Sequence, residues 1–99
     1  VTVNKCVDKA YLTKVCDILR LRIDYINELI ENNTKNWSIN RFSKIDLAIL
    51  QIAIAEMLSD LNIPEKVSIN EAIELCKKYS DDKSVAFING VLDKAYKNL

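Results

Sequence analysis

Apolar residues recur through the first third of the chain at steps of three and four. Leu12, Val15, Leu19, Ile23, Ile26 and Ile30 fall on one face of a helix expected over residues 8–33. Ile18, Leu21, Tyr25 and Leu29 lie beside that stripe and widen it. An apolar surface covering so much of a helix's circumference marks an element packed between two layers. The polar run NNTKN at residues 32–36 then offers side chains that compete for backbone hydrogen bonds, and the helix should end there. A second helix is expected to open at Ser43, with Asp46 three residues on in capping-box spacing and facing the positive end of the helix dipole. Ile45, Leu47, Ala48, Ile49, Ile52, Ala53, Ile54 and Leu58 make this segment apolar almost all round, as the central helix of a bundle would be.

Pro64 disfavours helical geometry at Ile63 and places a short loop at residues 61–66. Ser68 with Glu71 repeats the capping-box spacing and predicts a third helix from there to about Tyr79. Asp81 and Asp82 supply caps for a fourth, running to about Tyr96 with Phe87, Val91, Leu92 and Ala95 inward. Between Trp37 and Arg41 a short helical turn or an irregular segment is expected. The pattern as a whole predicts one all-α domain over residues 1–99, a helical bundle with four main helices. Its first helix covers about 8–33 and its C-terminal bundle about 37–97.

Composition narrows the function classes. Fourteen Lys and Arg balance fourteen Asp and Glu, so no long-range field steers the whole molecule onto nucleic acid, and any RNA contact must be local. The only concentration of arginines is Arg20, Arg22 and Arg41, with Lys44 nearby, and a solvated helix face accounts for it. No apolar run approaches the roughly 20 residues that cross a bilayer, and no secretory signal pattern is visible. Cys6, Cys16 and Cys76 are odd in number and lack CxxC spacing, which favours reduced thiols in a cytoplasm over a disulfide framework or zinc site. The chain has no histidine, the commonest general base and metal ligand. Paired carboxylates such as Asp81 with Asp82, or Glu71 with Glu74, read as caps and solvated faces. An enzyme, a cofactor or a catalytic metal is therefore not expected. The lone Gly90 falls inside a helix, where it costs about 1 kcal/mol against alanine, and is expected to permit close approach of another helix or chain.

Three segments carry a resemblance to a known family: IPEKV at residues 63–67, INEAIELCKKY at residues 69–79 and INGVLDK at residues 88–94. Together with RFSKIDLAILQIAIAEML upstream, they resemble the C-terminal half of the NusB family of bacterial transcription antitermination factors. The resemblance extends back through Trp37 into the first helix. It implies an all-helical fold of two small bundles, pairing with the ribosomal protein NusE, and binding of boxA RNA. Family members carry two further N-terminal helices, the first rich in arginine, and no segment here corresponds to them, so the chain reads as the back portion of a larger fold. An RNA cytosine methyltransferase family has a related N-terminal module, but the residue after GVL is typically basic there, whereas this chain has Asp93.

Carried over position by position, the resemblance implies an RNA-binding edge at Lys83, Ser84 and Phe87, where an aromatic ring stacks on a base and a hydroxyl contacts phosphate. Lys83 stands where some relatives have an acidic residue, and Val85 and Ala86 where others have polar or basic ones. The resemblance also sets Asp46 on the side that faces NusE, and Arg41 and Lys44, near it in sequence, are expected as further partner-binding residues. Two readings follow: a NusB-type adaptor that docks NusE and contributes to boxA binding, or a reduced module that kept protein docking without RNA affinity. The apolar excess of the first helix, at Leu12, Ile18, Leu21 and Tyr25, adds the expectation of a homodimer or a covering partner through that helix.

Overall fold

The computed structural model describes residues 9–34, 42–59 and 63–99. Four α-helices follow in order: α1 (Lys9–Asn32), α2 (Lys44–Leu58), α3 (Glu65–Tyr79) and α4 (Asp82–Lys97). No strand occurs among the described residues. Trp37 and Arg41, and with them the expected helical turn, lie outside the described residues.

Helix α2 occupies the centre and packs against the other three. Its sequence explains this position. Ile49, Leu50, Ala53, Ile54 and Ala55 are buried, and small residues among them let neighbouring helices approach from more than one side. Val15, Ile26, Leu29 and Ile30 from α1, Ala72 and Cys76 from α3, and Ile88, Val91, Leu92 and Ala95 from α4 complete the core. The ends of α1 and α4 are tied where Asn98 Nδ2 donates to Asn33 Oδ1 at 2.9 Å. Asn33 Nδ2 in turn donates to the Leu29 carbonyl at 2.7 Å, satisfying one of the last carbonyls of α1.

Three features differ from the sequence reading. Helix α3 begins at Glu65, with Pro64 in the N-cap position (φ −59°), and Ser68 is not its cap. Proline has no N–H to leave unsatisfied at a helix start, and its carbonyl accepts from Val67 N at 2.9 Å and Ser68 N at 3.2 Å. Ser68 is instead buried, and its hydroxyl donates to Glu56. Helix α1 is kinked at Arg22 (φ −120°, ψ 19°), beside which the guanidinium lies 4.7 Å from the Tyr25 ring centroid. Periodicity alone gave no sign of the kink.

Gly90 is the third. It is exposed, and a Cβ placed on it meets no neighbouring heavy atom within 4 Å, so among the described residues no other helix approaches it, which leaves another chain as the expected neighbour. Gly90→Ala is therefore expected to raise the unfolding free energy by about 0.5–1 kcal/mol through helix propensity alone. Urea denaturation reads this directly, and a destabilised variant would mean that the glycine meets a neighbour after all.

Candidate functional site

The first turn of α2, the end of α3 and the first turn of α4 meet at one buried carboxylate. Asp46 is 9 % exposed. Its Oδ1 accepts from Ser80 Oγ at 2.8 Å and its Oδ2 from Ser84 Oγ at 2.8 Å. Each hydroxyl has a single proton, and these short contacts claim both. Ser43 caps α2 by accepting from Asp46 N at 3.1 Å, which is half of the expected capping box. The other half is absent, because the Asp46 carboxylate spans to α3 and α4 in place of turning back to Ser43. Asp81 caps α4, its Oδ1 accepting from Ser84 N at 3.0 Å.

Within this junction the sequence-derived residues occupy different situations. Lys83 is exposed on the first turn of α4, and Lys44 is exposed on the first turn of α2. Ser84 is half-buried, with its hydroxyl proton given to Asp46 and its amide to Asp81, so a phosphate contact from that hydroxyl requires the Asp46 bond to open. Phe87 is half-buried, and its ring centroid lies 5.4 Å from that of Phe42, the planes tilted by 37°. Asp46 is buried, and its bonds to Ser80 and Ser84 tie the start of α2 to the end of α3 and the start of α4. Arg41 lies outside the described residues.

Cys76 sits beneath the same junction, fully buried, its Sγ 3.8 Å from the Asp81 carbonyl oxygen. Burial pushes its thiol pKa up, and the Asp46 carboxylate adds to the effect. The side chain packs within the apolar core. Among the described residues no group of three or more His, Cys, Asp or Glu side chains could hold a metal ion. Nor is any helix among them long and apolar enough to cross a membrane.

A second buried carboxylate joins the other side of the bundle. Glu56 is 5 % exposed and accepts from Ser68 Oγ at 2.7 Å and from the Tyr11 hydroxyl, linking α2 to α3 and α1. Sequence reasoning missed both Phe42 and Ser80. A signal existed for Phe42, an apolar residue immediately before the Ser43 cap, where a hydrophobic staple is expected. For Ser80 nothing in the pattern distinguished it from any serine at a helix end.

Comparison with known proteins fits this architecture. The model of the NusB family matches residues 3–97. A protein of Clostridium perfringens (strain SM101 / Type A), named transcription antitermination protein NusB, is 52 % identical over 93 residues, covering 94 % of this chain and 69 % of the relative. Its namesake in Clostridium botulinum (strain Alaska E43 / Type E3) is 48 % identical over 93 residues, with coverage of 94 % and 70 %. Among solved structures, NusB of T. maritima superposes with a TM-score of 0.82 at 34 % identity, over 91 % of this chain and 66 % of that one. A four-helix arrangement shared with a solved NusB, and a family match over nearly the whole chain, place this protein in the NusB family of transcription antitermination proteins.

Proposed function

We propose that the chain works as a NusB-type adaptor in the cytoplasm, docking the ribosomal protein NusE and contributing to boxA RNA binding during ribosomal RNA transcription, with no catalysis of its own. The observation that supports this reading best is the convergence of the α2 and α4 starts. It brings Lys83, Ser84 and Phe87 next to the turn that carries Lys44. Phe87 offers a stacking surface to an unpaired base, and Lys83 a phosphate contact. Lys44, exposed at the start of α2, is the partner-binding position with Arg41 near it in sequence, and Asp46 ties the starts of α2 and α4 together.

Binding of RNA by this chain alone is expected to be weak, because the net charge is zero and Asp81 and Asp82 immediately precede Lys83. Fluorescence anisotropy with a boxA oligonucleotide, in the presence and absence of NusE, tests the reading. Binding should tighten with NusE and fall with salt, and Lys83→Ala should reduce the slope of log K against log salt by about 0.7. A chain–NusE complex that fails to bind boxA even at low salt would favour the second reading, a protein-docking module without RNA affinity, which the two preceding carboxylates support.

Leu12 and Leu21 of α1 are 43 % and 78 % exposed, whereas Ile18 and Tyr25 pack against the core. This supports a homodimer or covering partner through α1, since each large apolar side chain re-covered contributes about 1.5–3 kcal/mol against an association cost of about 4–15 kcal/mol. Light scattering over a concentration series decides the homomeric case, and a strict monomer at high concentration removes it.

A further inference from the structure

We infer that the outward face of α4 carries a track for the sugar–phosphate backbone of single-stranded RNA, with Lys83 and Lys94 each holding a phosphate and the strand passing between them over Gly90. This rests on the boxA-binding reading and extends it from the first turn of α4 along the helix. At about 100° per residue, positions 83, 90 and 94 fall within about 40° of one another, and Lys83 and Lys94 stand about 16 Å apart along the axis. All three are exposed. Neither lysine has an ion-pair partner among the described residues. The carboxylates of Asp82 and Asp93 are turned by about 80–100° from this line toward one flank, and Asp93 meets Lys97 Nζ at 3.3 Å. The face is thus divided lengthwise by charge, with a cationic line beside an acidic one.

Gly90 gives this line its shape. A glycine inside a helix costs about 0.5–1 kcal/mol against alanine, and here it gains no packing in return, since a Cβ at this position meets no neighbouring heavy atom within 4 Å. What it provides is a shallow dip between two cations, where a ribose can lie against the helix backbone. A protein helix is the other occupant that such a dip admits. Apart from Ala86 and Gly90, however, every exposed position from Asp82 to Lys94 is polar or charged, so a protein laid here would bury little apolar surface. A nucleic-acid backbone needs no apolar anchor, because lysine–phosphate contacts and the release of counterions supply its binding. With zero net charge over the whole chain, that attraction is local to the lysines of the line.

The test measures binding of a single-stranded boxA oligonucleotide to the chain–NusE complex by anisotropy across a salt series. Lys94→Ala is expected to reduce the slope of log K against log salt by about 0.7, the change expected of Lys83→Ala, and the double variant by about 1.4. Lys77→Ala, on α3 and paired with Glu74 at 3.7 Å, should leave the slope as it is. Gly90→Gln fills the dip with a neutral side chain that favours the helix. It should therefore melt no lower than the wild type, yet weaken binding at every salt concentration without a change in slope. A wild-type slope for Lys94→Ala, or wild-type affinity for Gly90→Gln, would overturn the inference. So would a Gly90→Gln variant whose affinity for NusE falls, since the outward face of α4 would then meet the protein partner. If Lys83→Ala lowers the slope and Lys94→Ala does not, this inference fails while the proposed function stands. If the wild-type complex does not bind the oligonucleotide, both fail.

Discussion

Ala53→Asp should leave no cooperatively folded protein at 25 °C. Ala53 is 2 % exposed on α2, the helix that every other helix packs against, and the core cluster around it is apolar. Among the described residues the apolar cluster offers a carboxylate at that position no cation, and the site is closed to water. An uncompensated charge of this kind costs about 3–5 kcal/mol or more, against a total stability of about 5–15 kcal/mol for folded domains in general. Circular dichroism should show reduced helicity and a broad melt without a defined midpoint. Ala53→Ser, which adds a smaller polar group able to bond back along its own helix, should melt cooperatively at a modestly lower temperature. An aspartate tolerated at residue 53 with unchanged helicity would mean that the inward face of α2 is not where the structure puts it.

The second large effect is expected at Glu56. Truncation to alanine removes the acceptor that the Ser68 and Tyr11 hydroxyls share. A cavity is added to that loss. The buried Ser68 hydroxyl, left without this acceptor, carries a desolvation penalty of about 1–3 kcal/mol, and with the cavity added Glu56→Ala should cost about 2–4 kcal/mol in urea denaturation. Glu56→Gln retains a carbonyl acceptor and should cost markedly less. A double-mutant cycle with Ser68→Ala isolates the pair, with a coupling of about 0.5–3 kcal/mol expected for residues in direct contact. A coupling near zero, or a Glu56→Ala variant as stable as the wild type, would show that the carboxylate is not the element joining α1, α2 and α3.

Much of this fold is legible in the chain because helices leave periodic signatures. The stripe through Val15, Ile26 and Ile30 bounds α1 to within a residue of its observed span, and the near-uniform apolarity of α2 identifies the helix that is covered on several sides. Local capping rules succeed where a side chain has no competing tertiary use, as at Ser43 and Asp81. They fail where a stronger long-range partner takes the side chain. Ser68 has the spacing of a cap but is drawn into the core by Glu56, and α3 starts a turn earlier at the proline. Asp46 has the spacing of a capping-box acid but is held by Ser80 and Ser84, 34 and 38 residues away.

The candidate site was legible only in part, for the same reason. A motif places Lys83, Ser84 and Phe87 on one turn of one helix, since they are neighbours in sequence. That Phe42 joins them depends on the packing of α2 against α4, which no local spacing encodes. Gly90 shows the same limit: its place inside a helix suggested close approach by another helix or chain, and among the described residues no other helix supplies it.

Titration of the cognate NusE into the chain, followed by calorimetry, tests the adaptor reading most directly. Saturable one-to-one binding is expected, weakened by Lys44→Glu at the exposed start of α2 without a change in thermal midpoint. No heat and no association at micromolar concentrations of both proteins would contradict the assignment of this bundle as the NusE-docking element.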